Sequence, residues 1–375
     1  MKVVIAIDSF KGSMSSMEAG NAAKAGVERA CAADIVVKPL ADGGEGTTEA
    51  LVEGLGGEYV TLEVTGPLGK KTHAKYGILP DKKTAVLEMA EAAGIILLKR
   101  EELNPQKATT YGVGEMILDA VKRGCREFII GIGGSATSEG GTGMLKALGY
   151  RLLNAAGDSI APGLKELGQL VSIDDSHVPE ELKECRFRIA CDVKNPLCGE
   201  NGAVYVYGPQ KGVKEEEKQI FDDRIRHFAD KTQEFTGRDY RMQEGAGAAG
   251  GLGFAFLSYL PNVELKSGID IVLDAVRLEQ EVKDADVVIT GEGRLDSQTA
   301  MGKVPVGVAR LAKKYGAKVV AFAGGVTKDA GVCNAAGIDA FFPIVRGITT
   351  LDEAMIPRNA KENMELAVEQ VQGTG

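Results

Sequence analysis

The chain has 375 residues, 44% apolar and 26% charged, with a formal net charge of −9. Its length favours two domains over a single core. An acidic balance gives no general attraction for nucleic acid or anionic lipid, and 5% aromatics with no tryptophan argue against ring-lined surfaces that stack bases or sugars.

Small molecules are therefore the expected partners, with no nucleic acid and no membrane. The first apolar run, Val3 to Ile7, is broken by Asp8 before a signal core can form. No stretch approaches the ~18 apolar residues of a membrane span, so a cytoplasmic location is expected. Cys31, Cys125, Cys185, Cys191, Cys198 and Cys333 contain no C-x-x-C pair and lie far in sequence from His73, His177 and His227. They read as free thiols rather than a zinc site. Glycine is abundant, at 49 residues, and clusters after apolar runs, where backbone must turn sharply or approach a ligand.

In chain order, Val3–Ile7 is a short, fully buried type of strand, followed by the loop Asp8-Ser9-Phe10-Lys11-Gly12. A helix starts near Ser15, with Glu18 three residues on as a capping box, and runs to about Ala30. Ile35–Val37 is a second strand, followed by the loop Ala41-Asp42-Gly43-Gly44-Glu45-Gly46 and a helix through Leu51 and Leu55. Three strands come next, over 59–64, 72–79 and 84–89, separated by Gly66-Pro67 and Pro80-Asp81, as in an antiparallel meander. A helix covers 112–123. Strand 128–130 enters a loop from Gly131 to Gly143, and strand 188–190 enters Cys191-Asp192-Val193-Lys194-Asn195-Pro196. A charged helix spans 214–232, and a Gly/Ala tract from Gly245 to Gly253 runs into an apolar helix. Strand 286–289 then leads into Thr290-Gly291-Glu292-Gly293-Arg294-Leu295-Asp296. A helix over 305–315, strand 319–322, strand 340–342 and a helix over 360–371 close the chain.

Alternating β and α at both chain ends implies one parallel sheet built from both, with helices on its faces. The expected division is a discontinuous α/β domain, 1–60 and 285–375, around an inserted mixed α/β domain, 61–284. Ligands of such sheets bind beyond the carboxyl ends of the strands.

Several loops at those ends can carry chemistry. The 131–143 loop is the strongest phosphate cradle, with Gly133, Gly134, Ser135 and Thr137; Gly43, Gly44, Gly291 and Gly293 are further candidates for nucleotide contact. Asp42 and Glu45 could face one pocket and hold Mg²⁺, which takes one or two carboxylates beside a nucleotide. Asp8 and Lys11 could place an acid and a cation at one strand end. Asp192 follows a strand as a candidate base or metal ligand, and Pro196 restrains the loop bearing Asn195, a substrate-binding candidate with Asp296. Arg294 could hold a carboxylate or a transferring phosphoryl group. Each has a plainer reading as a cap, a turn residue or a loop salt bridge.

No G-x-x-x-x-G-K-[ST] segment exists. Gly245-Ala246-Gly247-Ala248-Ala249-Gly250 matches G-x-G-x-x-G, but the polar residues 239–244 before it do not read as the strand that a dinucleotide fingerprint needs.

Six motifs occur in order: Asp8-Ser9-Phe10-Lys11-Gly12, Ala41 to Thr47, Gly133 to Thr137, Cys191 to Leu197, Gly208-Pro209-Gln210-Lys211-Gly212, and Thr290 to Asp296. Together they span essentially the whole chain and resemble the bacterial type I glycerate kinase family. The pattern departs at Ser138-Glu139, where the family often carries Asn-Asp. The resemblance implies ATP-dependent phosphorylation of glycerate, usually giving 2-phosphoglycerate, and a flavodoxin-like domain with a second α/β domain inserted.

On that basis ATP phosphates rest on the Gly-rich turns, and Asp42, Glu45 or Asp192 holds Mg²⁺. Arg294 or Lys11 meets the glycerate carboxylate, and Asp8 or Asp192 accepts the hydroxyl proton in an interdomain cleft that excludes water. Two rivals are a nicotinamide-dependent hydroxy-acid oxidoreductase using Gly245–Gly250 and a non-enzymatic two-lobed binding protein.

Overall fold

Strand and helix alternate at both ends of the chain in the computed structural model, which describes residues 1–372. The strands, in order, are β1 (Lys2–Ile7), β2 (Asp34–Pro39), β3 (Glu58–Thr65), β4 (Lys71–Ile78), β5 (Thr84–Glu88), β6 (Glu127–Gly131), β7 (Arg151–Leu153), β8 (Ser172–Asp174), β9 (Arg186–Ala190), β10 (Val263–Lys266), β11 (Val287–Leu295), β12 (Lys318–Val326) and β13 (Ala340–Pro343). The chain forms two compact units. The first comprises Met1–Asp42, Glu49–Gly57 and the chain from Ile269 onward; the second comprises Gly43–Thr48 and Glu58–Gly268.

The first unit carries a five-stranded parallel sheet, ordered β13-β12-β11-β1-β2. Renumbered within the unit this is the flavodoxin-like order 2-1-3-4-5, whose switch point lies between β1 and β11. Val3, Ile5 and Ile7 of β1 are fully buried with Ile289, Phe322 and Met364. Ser15 caps the helix Ser16–Ala30: Glu18 N donates to Ser15 Oγ at 3.2 Å, and Ser15 N donates back to Glu18 Oε2 at 2.9 Å. That helix packs on the closing helix Pro357–Gln372 at a glycine, because a Cβ on Gly26 would lie 2.4 Å from Glu365 O.

Two strands of this unit run further than the sequence predicts. β11 continues from Val287 through Leu295, so the segment 290–295 is strand rather than loop, and β12 continues to Val326 beside it. The glycines permit the extension. A Cβ on Gly291 would stand 2.2 Å from Phe322 O, and one on Gly324 would stand 2.7 Å from Gly293 O.

The second unit holds a six-stranded sheet, ordered β10-β9-β6-β5-β4-β3. β3, β4 and β5 pair antiparallel, matching the expected meander, while β5, β6, β9 and β10 are parallel. β5 serves both patterns, and its five residues are all buried. Phe128 of β6 stacks on Phe187 of β9 with ring centroids 4.9 Å apart, in a core that includes Tyr76, Ile130, Ile189 and Phe256. The antiparallel pair β7–β8 is a separate two-stranded ribbon.

Candidate active site

In the first unit the site begins where β1 ends. Ser16 Oγ donates to Ile7 O at 2.6 Å and accepts from Leu40 N at 2.7 Å. One buried hydroxyl thus fixes the exits of both β1 and β2. Asp8 N extends the ladder by donating to Gly291 O at 3.0 Å, and Ser9 N donates to Asp8 Oδ1 at 2.6 Å. Asp8 therefore stands at the switch point between β1 and β11.

Burial, then the neighbouring Asp42 charge, pushes the Asp8 carboxyl up to about 7; Glu292 adds to the rise, while the Ser9 N–H and Lys11 oppose it. Glu292, on β11, is itself raised by burial, with Asp296 and Asp42 contributing, against a hydrogen bond from Thr299 and the charge of Lys303. Thr299 Oγ1 donates to Glu292 Oε1 at 2.5 Å, and Lys303 Nζ lies 3.9 Å from its other oxygen. Asp8 and Glu292 are thus both raised beside the Asp42 charge, an arrangement that a proton or a cation relieves.

Lys11 and Arg294 are exposed, and the Arg294 side chain keeps 70% of its surface open, with Nε 3.5 Å from Asp296 Oδ2. Asp296 Oδ1 accepts from Gln298 N at 2.9 Å and Thr299 N at 3.3 Å, so this predicted substrate-binding residue shapes the turn after β11. A Cβ on Gly293 would approach Lys11 N and Phe10 Cα at 3.8 Å, so the 8–12 loop runs beside β11. Gly291 serves the close approach of β12 described above.

In the second unit the carboxyl ends of β5, β6 and β9 gather the remaining candidates. Gly43 has φ +88; a Cβ there would lie 2.4 Å from Gly268 Cα and 2.8 Å from the Ala190 side chain. A Cβ on Gly131 would stand 2.6 Å from Gly43 O, and one on Gly133 would stand 4.0 Å from Gly44 Cα. The 43–48 turn is thus laid over the ends of β6 and β9. Glu88, at the end of β5, holds it: Oε1 accepts from Thr48 N at 2.8 Å and Oε2 from Gly46 N at 3.3 Å. Burial raises the Glu88 carboxyl. Glu45 is exposed on this turn, whereas Asp42 belongs to the first unit. Among the described residues no group of three or more His, Cys, Asp or Glu side chains is disposed to hold a metal ion.

The 133–138 turn leaves β6 with Gly134 at φ +71. It is pinned where Gly134 O accepts from Ile95 N at 2.8 Å and Ala136 N donates to Ala93 O at 2.9 Å. Lys211 Nζ donates to Ser135 Oγ and Thr137 O, each at 2.6 Å. The Thr137 and Ser138 hydroxyls are buried without hydrogen-bond partners. Asp192 Oδ1 accepts from Gly268 N at 3.0 Å. The Asn195 amide is engaged within its own segment, donating to Asn201 O at 2.8 Å and accepting from Tyr207 OH at 2.6 Å.

Glu139 is a structural group. Its fully buried carboxylate accepts from Thr110 N at 3.1 Å, Thr110 Oγ1 at 2.5 Å, Gly143 N at 2.8 Å and Thr142 Oγ1. The Gly245–Gly253 tract is also structural. Residues 239–247 contain no strand, Gly250 and Gly251 have φ +69 and +93, and a Cβ on Gly250 would lie 2.1 Å from Thr137 O. These glycines seat the helix Ala248–Tyr259 against the 137–140 backbone, so they do not form a dinucleotide fingerprint.

Sequence reasoning assigned no role to Glu292, Lys211 or Glu88. The first two lay inside motifs already singled out; Glu88 ends a buried strand and carried no signal.

A model of the Glycerate kinase family matches residues 3–374. The chain belongs to the glycerate kinase family. This family member is 48% identical over 366 residues to the glycerate kinase of Bacillus subtilis strain 168, covering 97% of this chain and 95% of that one. It is 47% identical over 365 residues to the glycerate 2-kinase of Escherichia coli K12, with the same coverage of 97% and 95%. A Salmonella typhimurium LT2 chain whose crystal structure is named for glycerate kinase 2 superposes with a TM-score of 0.92 at 44% identity, covering 100% of this family member and 98% of that chain. Neither the nicotinamide reading nor the binding-protein reading finds support in these likenesses.

Proposed function

We propose that the chain transfers the γ-phosphoryl group of ATP to a hydroxyl of D-glycerate, giving 2-phosphoglycerate and ADP. The observation that carries this reading is the Asp8 carboxyl, held up to about 7 by burial and by Asp42 at the β1–β11 switch point. A base whose affinity for protons matches neutral pH is suited to general catalysis.

In this account the glycerate hydroxyl oxygen forms a bond to the γ-phosphorus as its bond to the β,γ-bridging oxygen breaks. Asp8 takes the hydroxyl proton, and ADP leaves. Arg294, exposed and extended from β11, pairs with the substrate carboxylate, with Lys11 as the second cation; a planar guanidinium matches a carboxylate in two places. Gly133, Gly134, Ser135 and Thr137 receive nucleotide phosphates, a role that fits the left-handed Gly134 and the unpartnered buried hydroxyls of Thr137 and its neighbour Ser138. The glycines of the 43–44 turn lie beside them in the same unit. Asp192 and Glu88 anchor the backbone of that region.

Mg²⁺, bound with the nucleotide, would neutralise phosphate charge, and the carboxylate crowding at Asp42 and Glu292 fits such a cation, with Glu45 as a further candidate. The six free cysteines suit a reducing cytoplasm.

The test is incubation with D-glycerate and Mg-ATP, following ADP release and the phosphorus NMR spectrum of the product. A new resonance of a secondary phosphate ester at C2 is expected. No ADP release above the rate without glycerate would remove the proposal.

A further inference from the structure

Beneath the 133–138 turn lies an amine that none of these roles uses. Lys211 ends the short turn Pro209–Lys211, and only 2% of its surface is exposed. Its ammonium reaches two acceptors, Ser135 Oγ and Thr137 O, both on that turn. Among the described residues no carboxylate makes an ion pair with it. Burial alone pulls the amine down to about 7. An unbalanced buried cation is costly to keep, and an apolar side chain of the same length would fill the space at less expense.

The surroundings show the same imbalance. Thr137 is fully buried and Ser138 is 1% exposed, and neither hydroxyl has a partner. A cation and two unsatisfied hydroxyls on one turn are what an anion would complete. A purely structural clamp explains the two Lys211 bonds, but neither the missing counter-charge nor the two idle hydroxyls.

We infer that Lys211 is a positioning residue for the nucleotide: it holds Ser135 and the Thr137 carbonyl from below and supplies the positive charge that makes the 133–138 turn receptive to phosphate. The inference rests on the reading of that turn as the phosphate cradle.

Three variants separate the possibilities, each assayed for the KM of ATP, the KM of glycerate and the ADP concentration giving half-maximal thermal protection. For Lys211→Met the ATP KM and the ADP midpoint should each rise at least tenfold, while the glycerate KM stays within about twofold. If neither KM changes, or both rise together, the inference is overturned. If Lys211→Met does not fold, Ser135→Ala decides: a threefold or greater rise in the ATP KM alone supports the inference, and an unchanged ATP KM overturns it. Thr137→Val tests the cradle itself. Should it raise the ATP KM while Lys211→Met leaves it unchanged, only the role of Lys211 fails. Should both leave it unchanged, the cradle reading fails as well.

Discussion

Thr299 Oγ1 donates a 2.5 Å hydrogen bond to Glu292 Oε1 and accepts one from Asp296 N at 3.1 Å, so a single hydroxyl ties the buried end of β11 to the turn that follows it. Burial raises the Glu292 carboxyl, and the Thr299 bond opposes the rise. Thr299→Val should leave Glu292 raised further. We expect catalytic efficiency to fall roughly tenfold near pH 6.5 and less near pH 8.5, with a stability cost of about 1–3 kcal/mol for the stranded carboxylate. The pH profile of kcat/KM and a denaturant titration check both.

Asp8 makes a second pH prediction. Its carboxyl is raised from an ordinary value of 3.8 to about 7 in the folded chain. Between those values the unfolded chain gives up the proton and the folded chain keeps it, so stability falls as pH rises across the window. Below it, native protein and Asp8→Asn should unfold alike. Above about pH 7, Asp8→Asn should be the more stable, by at most about 4 kcal/mol at ~1.4 kcal/mol per unit. Thermal unfolding at pH 4 and pH 8 reads the difference directly; equal midpoints at pH 8 would contradict the burial and crowding described.

Glu139 should matter for folding rather than chemistry. Its carboxylate satisfies Thr110 N and Gly143 N as well as two hydroxyls. Glu139→Ala strands those buried donors and leaves a cavity, so a loss of about 3–5 kcal/mol is expected. Where folded protein is recovered at low temperature, its KM values should stay near those of the native chain.

Gly250→Ala should be among the most damaging single changes in the second unit. The position has φ +69, and the new methyl would fall 2.1 Å from Thr137 O. Strain and overpacking together should cost at least about 3 kcal/mol. Gly46→Ala is the control: φ is +91 but nothing lies within 4 Å, so only backbone strain of about 1 kcal/mol is expected. Chemical denaturation of the two variants makes the comparison.

How much of this was legible in the chain depends on how local the signal was. The helix after Ser15 was fully written, because its cap and its Glu18 are three residues apart. Val3–Ile7 and the strands at the far end shared one pattern, and a parallel sheet built from both chain ends followed from it; its flavodoxin-like character came only with the resemblance to glycerate kinases. β10, β7 and β8 were missed because they are short and partly polar, without clean alternation. Gly291 and Gly293 read as a ligand loop because glycine after a strand is ambiguous; only the pairing of β11 with β12 shows the strand continuing. Lys211 and Glu292 stood in recognised motifs, yet their interest comes from burial, which depends on residues far away in the sequence. Asn195 and Asp296 were visible as polar loop residues, but their local hydrogen bonds appear only in three dimensions.

The central claim is that Asp8 accepts the proton of the glycerate hydroxyl. Steady-state kinetics of Asp8→Asn at pH 8, with saturating Mg-ATP and D-glycerate, test it most directly. The account predicts that kcat falls at least a hundredfold while the KM of ATP stays within about threefold. A kcat within threefold of the native value would contradict it.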